Sequence, residues 1–134
     1  MALVDTVIAL ALIEFFLFGW AVARARVSFG VPAPATSGNE AFERYFRVQM
    51  NTLEQLVIFI PSMLMFGRYV SAWLAAALGL LFVLGRAVYF FGYVKSAAGR
   101  HRGFQMSVIP NAILLIGGLI GALRALLIMA RVTL

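Results

Sequence analysis

The segment Glu43-Arg44-Tyr45-Phe46-Arg47-Val48-Gln49-Met50-Asn51-Thr52-Leu53-Glu54 decides how this chain is read, because its polar groups run straight into the apolar stretch 56–66. Arg44, Arg47, Asn51 and Glu54 succeed one another at spacings of three, four and three, which is one face of an α-helix. An ionisable side chain at the centre of a bilayer costs roughly 2.5–3.5 kcal/mol, so such residues mark a functional interior. Downstream, Arg86, Tyr89, Tyr93, Ser96 and Arg100 repeat the pattern at three, four, three and four. Both stripes start from the same side of the bilayer, so they can face one another across one cavity.

Composition sets the solvent. Of 134 residues, 63% are hydrophobic and 12% charged, against roughly a quarter charged in soluble domains. Residues 1–134 are therefore expected to form a single all-α domain, an integral membrane four-helix bundle. The chain has no cysteine, which excludes disulfides, thiolate metal sites and a cysteine nucleophile. Any thiol chemistry must arrive with a ligand. The net charge of +6 comes from basic residues at the ends of apolar segments. That placement fits membrane topology and anionic ligands rather than nucleic acid. Nothing in the sequence supports a metal, heme or flavin site.

Four helices are expected, at about 4–25, 40–68, 71–98 and 104–131. Asp5 stands where a signal peptide would be basic and no small-residue cleavage site precedes Arg24, so the first helix is expected to be retained. A linker rich in proline and glycine follows at 29–39, with Asn39 as the N-cap of the second helix. The segment 99–103, bounded by Gly99 and Gly103, is expected to be the turn before the fourth helix. Pro110 should kink that helix, while Gly117, Gly118 and Gly121 permit close packing. Basic residues concentrate around the first and third connections, so the positive-inside rule places both termini outside and the polar stripes toward the cytoplasm.

Guanidinium groups clamp carboxylates by paired hydrogen bonds, a buried carboxylate suits an ammonium, and the amides of Asn51 and Gln49 suit peptide groups. A small zwitterion with several carboxylates matches this set. Arg24, Arg44, Lys95, Arg102 and Arg131, taken singly, read as snorkelling residues, and Tyr45 and Tyr69 as an interfacial belt. Asn51 and Glu54 lie too deep for that, although Arg47 and Glu54 could form a structural ion pair. Glu14, mid-span in the first helix, reads as a protonated or paired structural glutamate, and His101 as a solvated loop residue.

These blocks, with Gly85-Arg86-Ala87-Val88-Tyr89-Phe90-Phe91-Gly92-Tyr93, Arg100 and Gly103-Phe104, resemble the MAPEG family, the membrane-associated proteins in eicosanoid and glutathione metabolism. They are most similar to its microsomal glutathione transferase and leukotriene C4 synthase branch. The resemblance implies a homotrimer that binds glutathione as co-substrate between subunits, near the cytoplasmic side, and draws a hydrophobic electrophile from the membrane lipids. It further implies that Arg47, Asn51, Glu54, Arg86, Tyr89 and Tyr93 hold the tripeptide. Gln49 matches a contact offered to the neighbouring subunit's site, and Arg26 matches an arginine that closes the glutathione site. Arg100, seven after Tyr93, matches the arginine that stabilises the thiolate, although Arg102 fits the register of the prostaglandin E synthase branch. Gln55 stands where many relatives have an aromatic residue, and Pro61 lies seven rather than three after Glu54.

The function expected is glutathione transfer to lipophilic electrophiles, with hydroperoxide reduction as an additional activity of the same thiolate. One alternative is a non-catalytic lipid-binding scaffold, resembling the 5-lipoxygenase-activating protein. A small multidrug transporter built around Glu14 is a further alternative.

Overall fold

The computed structural model describes residues 1–132. Four long helices make up nearly all of it: α1 (Ala2–Ser28), α2 (Glu40–Tyr69), α3 (Ala72–Lys95) and α4 (Arg100–Val132), with a single 3-10 turn at Ala97–Gly99 between the last two. All four are long and apolar enough to cross a bilayer. Their outer faces carry Phe16, Val57, Trp73 and Phe91, each at least 65% exposed. Water would not tolerate that surface, whereas lipid solvates it, so the protein is an integral multi-pass membrane protein.

The connections follow from local chemistry. Asn39 has an extended backbone, and its side-chain oxygen accepts from the amides of Ala41 and Phe42 at 2.9 and 3.1 Å, capping α2. Gly38, at φ 122°, adopts a conformation that glycine alone takes easily, and its amide donates to Glu43 Oε1 at 2.9 Å. Ser71 caps α3 by accepting from Leu74.

One expected boundary is corrected. The third helix ends at Lys95 rather than 98, and the turn occupies 96–99 rather than 99–103. Ser96 is extended there and accepts from the Gly99 amide through both its carbonyl (3.0 Å) and its hydroxyl (3.2 Å), which closes the turn early. Gly103, taken as a breaker in the sequence, is a packing position inside α4. A Cβ there would collide with the backbone of Tyr89. Arg100, His101 and Arg102 thus sit in the first turn of α4, not in a loop. That helix continues through Pro110.

Packing divides the bundle in two. One half centres on Phe59 stacked against Phe82 at 4.0 Å, with Val7, Met63, Phe66 and Leu114 around them. At this end Gly67 meets Val4, and Gly121 meets Tyr69, so the start of α1 and the later part of α4 lie beside the α2–α3 connection. The other half holds Phe18, Val48, Tyr89 and Tyr93, and beyond them Val22, Val31 and Phe42 beneath the first loop.

Candidate functional site

The polar stripes meet at the end of the bundle that carries the first and third connections. They do so by contact, not across the open cavity that the sequence suggests. Asn51 Nδ2 donates to the Tyr89 hydroxyl at 2.7 Å, and Arg44 Nε donates to the Val94 carbonyl at 3.0 Å. Arg44 is therefore a tie between α2 and α3 rather than a free snorkelling cation. The exposed members of the α2 stripe, Arg47 and Glu54, lie outside these contacts.

Tyr89 and Tyr93 are buried, with rings 5.5 Å apart. Arg100 reaches back from the first turn of α4, its Nη1 3.5 Å from the Tyr93 hydroxyl and its guanidinium 5.5 Å from the ring centre. The early turn makes this reach possible. Arg100 is exposed, and so are Arg47 and Glu54. Among the described residues Arg47 and Glu54 form no ion pair or hydrogen bond, so the structural pair between them does not form. Glu54 lies midway along α2, a depth at which an unpaired carboxylate facing lipid is costly.

Arg86 stands apart. It is only 1% exposed, and its guanidinium is turned into the core. Nη2 and Nε donate to Thr52 Oγ1 at 2.7 and 3.2 Å, Nη1 lies 3.5 Å from Ser107 Oγ, and the group covers the Tyr89 ring at 4.0 Å. Glu14 is half-buried on α1. Arg26 donates to the Val31 and Ala35 carbonyls at 3.2 and 2.6 Å and lies over Phe42, which pins the first loop. Gln49 is half-buried and folded over Gly19 of α1, beside a cavity of about 500 Å³ lined by Leu12, Phe15, Phe16 and Trp20.

Reading the helical face from Arg44 misses Thr52 and Ser107. Thr52 belongs to the adjoining stripe Val48, Thr52, Leu56, Phe59 and Met63, all buried, and a threonine inside such a run is the signal that could have found it. Asn111 was also missed. It donates to both oxygens of Gln55, at 3.3 Å (backbone) and 3.1 Å (side chain), a polar link from α4 to α2.

The sequence profile of the MAPEG family matches residues 4–120. An uncharacterized protein of Synechocystis sp. is 44% identical over 115 residues, 86% of this chain and 84% of its own length. Microsomal glutathione S-transferase 2 of Mus musculus is 43% identical over 91 residues, 68% of this chain and 62% of the mouse protein. Leukotriene C4 synthase of Rattus norvegicus is 37% identical over 99 residues, covering 74% and 66% respectively. The chain spans less than two thirds of the mouse transferase's length. Four apolar helices, two polar stripes in the expected register and a profile match across most of its length lead to one conclusion: the chain belongs to the MAPEG family.

Proposed function

We propose that this protein is a membrane-bound glutathione transferase that joins the glutathione thiolate to lipophilic electrophiles taken from the bilayer. The carrying observation is the juxtaposition of the Arg100–Tyr93 contact and the Asn51–Tyr89 hydrogen bond at one end of the bundle. The names of the relatives, a glutathione S-transferase and a leukotriene C4 synthase, point the same way.

In this reading Arg47, Asn51 and Glu54 hold the carboxylates, peptide groups and ammonium of glutathione, with Tyr89 and Tyr93 at its side. Gln49 and Arg26 serve the site of a neighbouring subunit in a homotrimer. The exposure of Arg47 and Glu54 on the single chain supports that assembly, since a polar neighbour and a bound zwitterion offset the cost of charges within a membrane. The basic ends face the cytoplasm and the termini lie outside.

Arg100 is the catalytic residue. A thiol with a pKa of about 8.5 is mostly protonated at neutral pH, and a fixed neighbouring cation favours the anion. Arginine stays charged, so it stabilises the thiolate without exchanging protons. The sulfur lone pair forms the new C–S bond as the electrophile's leaving group departs or its strained ring opens. With a hydroperoxide, the same anion takes the terminal oxygen and releases the alcohol. A second glutathione then yields disulfide and water.

Calorimetry of the detergent-solubilised oligomer with glutathione, together with thiolate absorbance in wild type and Arg100→Ala, tests the proposal. Uptake with a thiolate signal that disappears in the variant is the expected result. No uptake by wild type refutes the function, and an unchanged signal refutes the role of Arg100. Uptake with no thiolate in wild type would favour the non-catalytic scaffold. The transporter alternative calls for a sparse, nearly uncharged interior, which the buried Arg86–Thr52–Ser107 cluster contradicts.

A further inference from the structure

We infer that Arg86 is a positioning residue: anchored on Thr52, it fixes the Tyr89 ring and, through the Tyr89 hydroxyl, the Asn51 amide that receives the ligand. The inference rests on the glutathione reading and replaces the direct contact between Arg86 and the tripeptide that the family resemblance implies.

The polarity of the cluster is set by the helices around it. Thr52 Oγ1 donates its hydrogen to the Val48 carbonyl at 2.7 Å, so toward Arg86 it can only accept. Ser107 Oγ likewise donates toward the Gly103 and Phe104 carbonyls at 2.9 and 3.1 Å, leaving a lone pair for Arg86. Two hydroxyls thus present acceptors to one guanidinium, whose nitrogens all point inward. At 1% exposure it has no free edge to offer a ligand.

What Arg86 does reach is a ring. Its cation lies 4.0 Å from the centre of Tyr89, which is 2% exposed. A planar cation over an aromatic face restrains the tilt of that face. The Tyr89 hydroxyl then accepts from Asn51 Nδ2 at 2.7 Å. That contact selects the amide's orientation, so Asn51 Oδ1 and the second amide hydrogen stay available on a half-buried side chain. The relay runs from Ser107 on α4 through Arg86 and Tyr89 on α3 to Asn51 on α2.

The test measures glutathione affinity by calorimetry and turnover with one soluble electrophile, using wild type, Thr52→Val, Arg86→Met, Tyr89→Phe and the Arg86→Met/Tyr89→Phe double variant. Thr52→Val and Arg86→Met should each weaken binding about tenfold, the scale of one hydrogen bond, while kcat changes by less than about twofold. In the double variant the penalties should not multiply, because both changes disconnect the same amide. Multiplying penalties would mean that Arg86 touches the ligand itself, which overturns the inference. So would single variants that lower the unfolding temperature yet bind glutathione normally. If Arg86→Met fails to assemble, Thr52→Val paired with Tyr89→Phe makes the same comparison.

Absence of glutathione uptake by wild type would count against the function alone. The relay is then read without ligand, as a thermal-unfolding cycle of Thr52→Val with Tyr89→Phe. Coupled effects support it and strictly additive ones overturn it.

Discussion

Both halves of the bundle pack closely through rings and glycines, and they differ in what is added to that packing. Around Phe59 and Phe82 the helices interlock through stacked rings and glycines that admit close approach, with the Asn111–Gln55 hydrogen bonds at the edge of the cluster. Around Tyr89 and Tyr93 they are joined by directed hydrogen bonds from Asn51, Arg44, Arg86 and Arg100. Lipid is as apolar as leucine, so the first half gains from shape and dispersion rather than from escape from water. The second half gains orientation, which a binding surface requires. A membrane bundle can therefore pack by shape at one end and fix the direction of polar side chains at the other.

Variants in each half should separate these roles. The largest expected effect is on stability. Phe82→Ala opens a cavity opposite Phe59 and should cost about 3 kcal/mol, seen as an early unfolding transition in detergent. Under the proposed function, protein that still folds should bind glutathione, and a specific loss of binding would blur the division between the halves. Next comes Arg100→Ala, expected to lower turnover at pH 7 about 100-fold with little change in unfolding temperature. Without that cation the bound thiol titrates near its ordinary value of about 8.5, so activity should recover as the pH rises toward it. A flat pH profile in the variant would remove Arg100 from thiolate stabilisation.

Glu54→Gln is expected to be smaller, weakening glutathione about tenfold in calorimetry through loss of one charge-assisted contact. A stabilised oligomer with unchanged affinity would make Glu54 a mere burden on α2. Smallest is Arg124→Gln, at the opposite end beside Tyr69 and Gly121. Glutathione affinity and turnover should both stay within about twofold of wild type, as for surface changes far from a site. A marked loss in either would show that the two ends are coupled.

Much of this was legible along the chain. Apolar spans long enough to cross a bilayer specify four helices, since lipid forces every backbone group to bond within its own segment. The three- and four-residue spacings bring Asn51 and Tyr89 onto facing sides, and they meet at 2.7 Å. Asn39 was readable as a cap because its side chain competes for backbone amides. The end of α3 was less legible. Ser96, Gly99 and Gly103 all look like turn residues, and composition does not say which of them bends the chain and which packs.

By itself, then, the sequence determined the solvent, the number of helices and the residues that carry charge into the membrane, because periodicity and transfer cost are local properties. Only the tertiary structure decided which way each of those residues turns. Arg86 and Arg100 share one stripe in the sequence, yet one is sealed against Thr52 and the other stands open beside Tyr93. The difference arises because the turn closes at Gly99, which lifts Arg100 onto α4, and because α4 lays Gly103 and Ser107 against α3. Contacts between helices far apart in the chain make that choice, and no spacing within one helix encodes it.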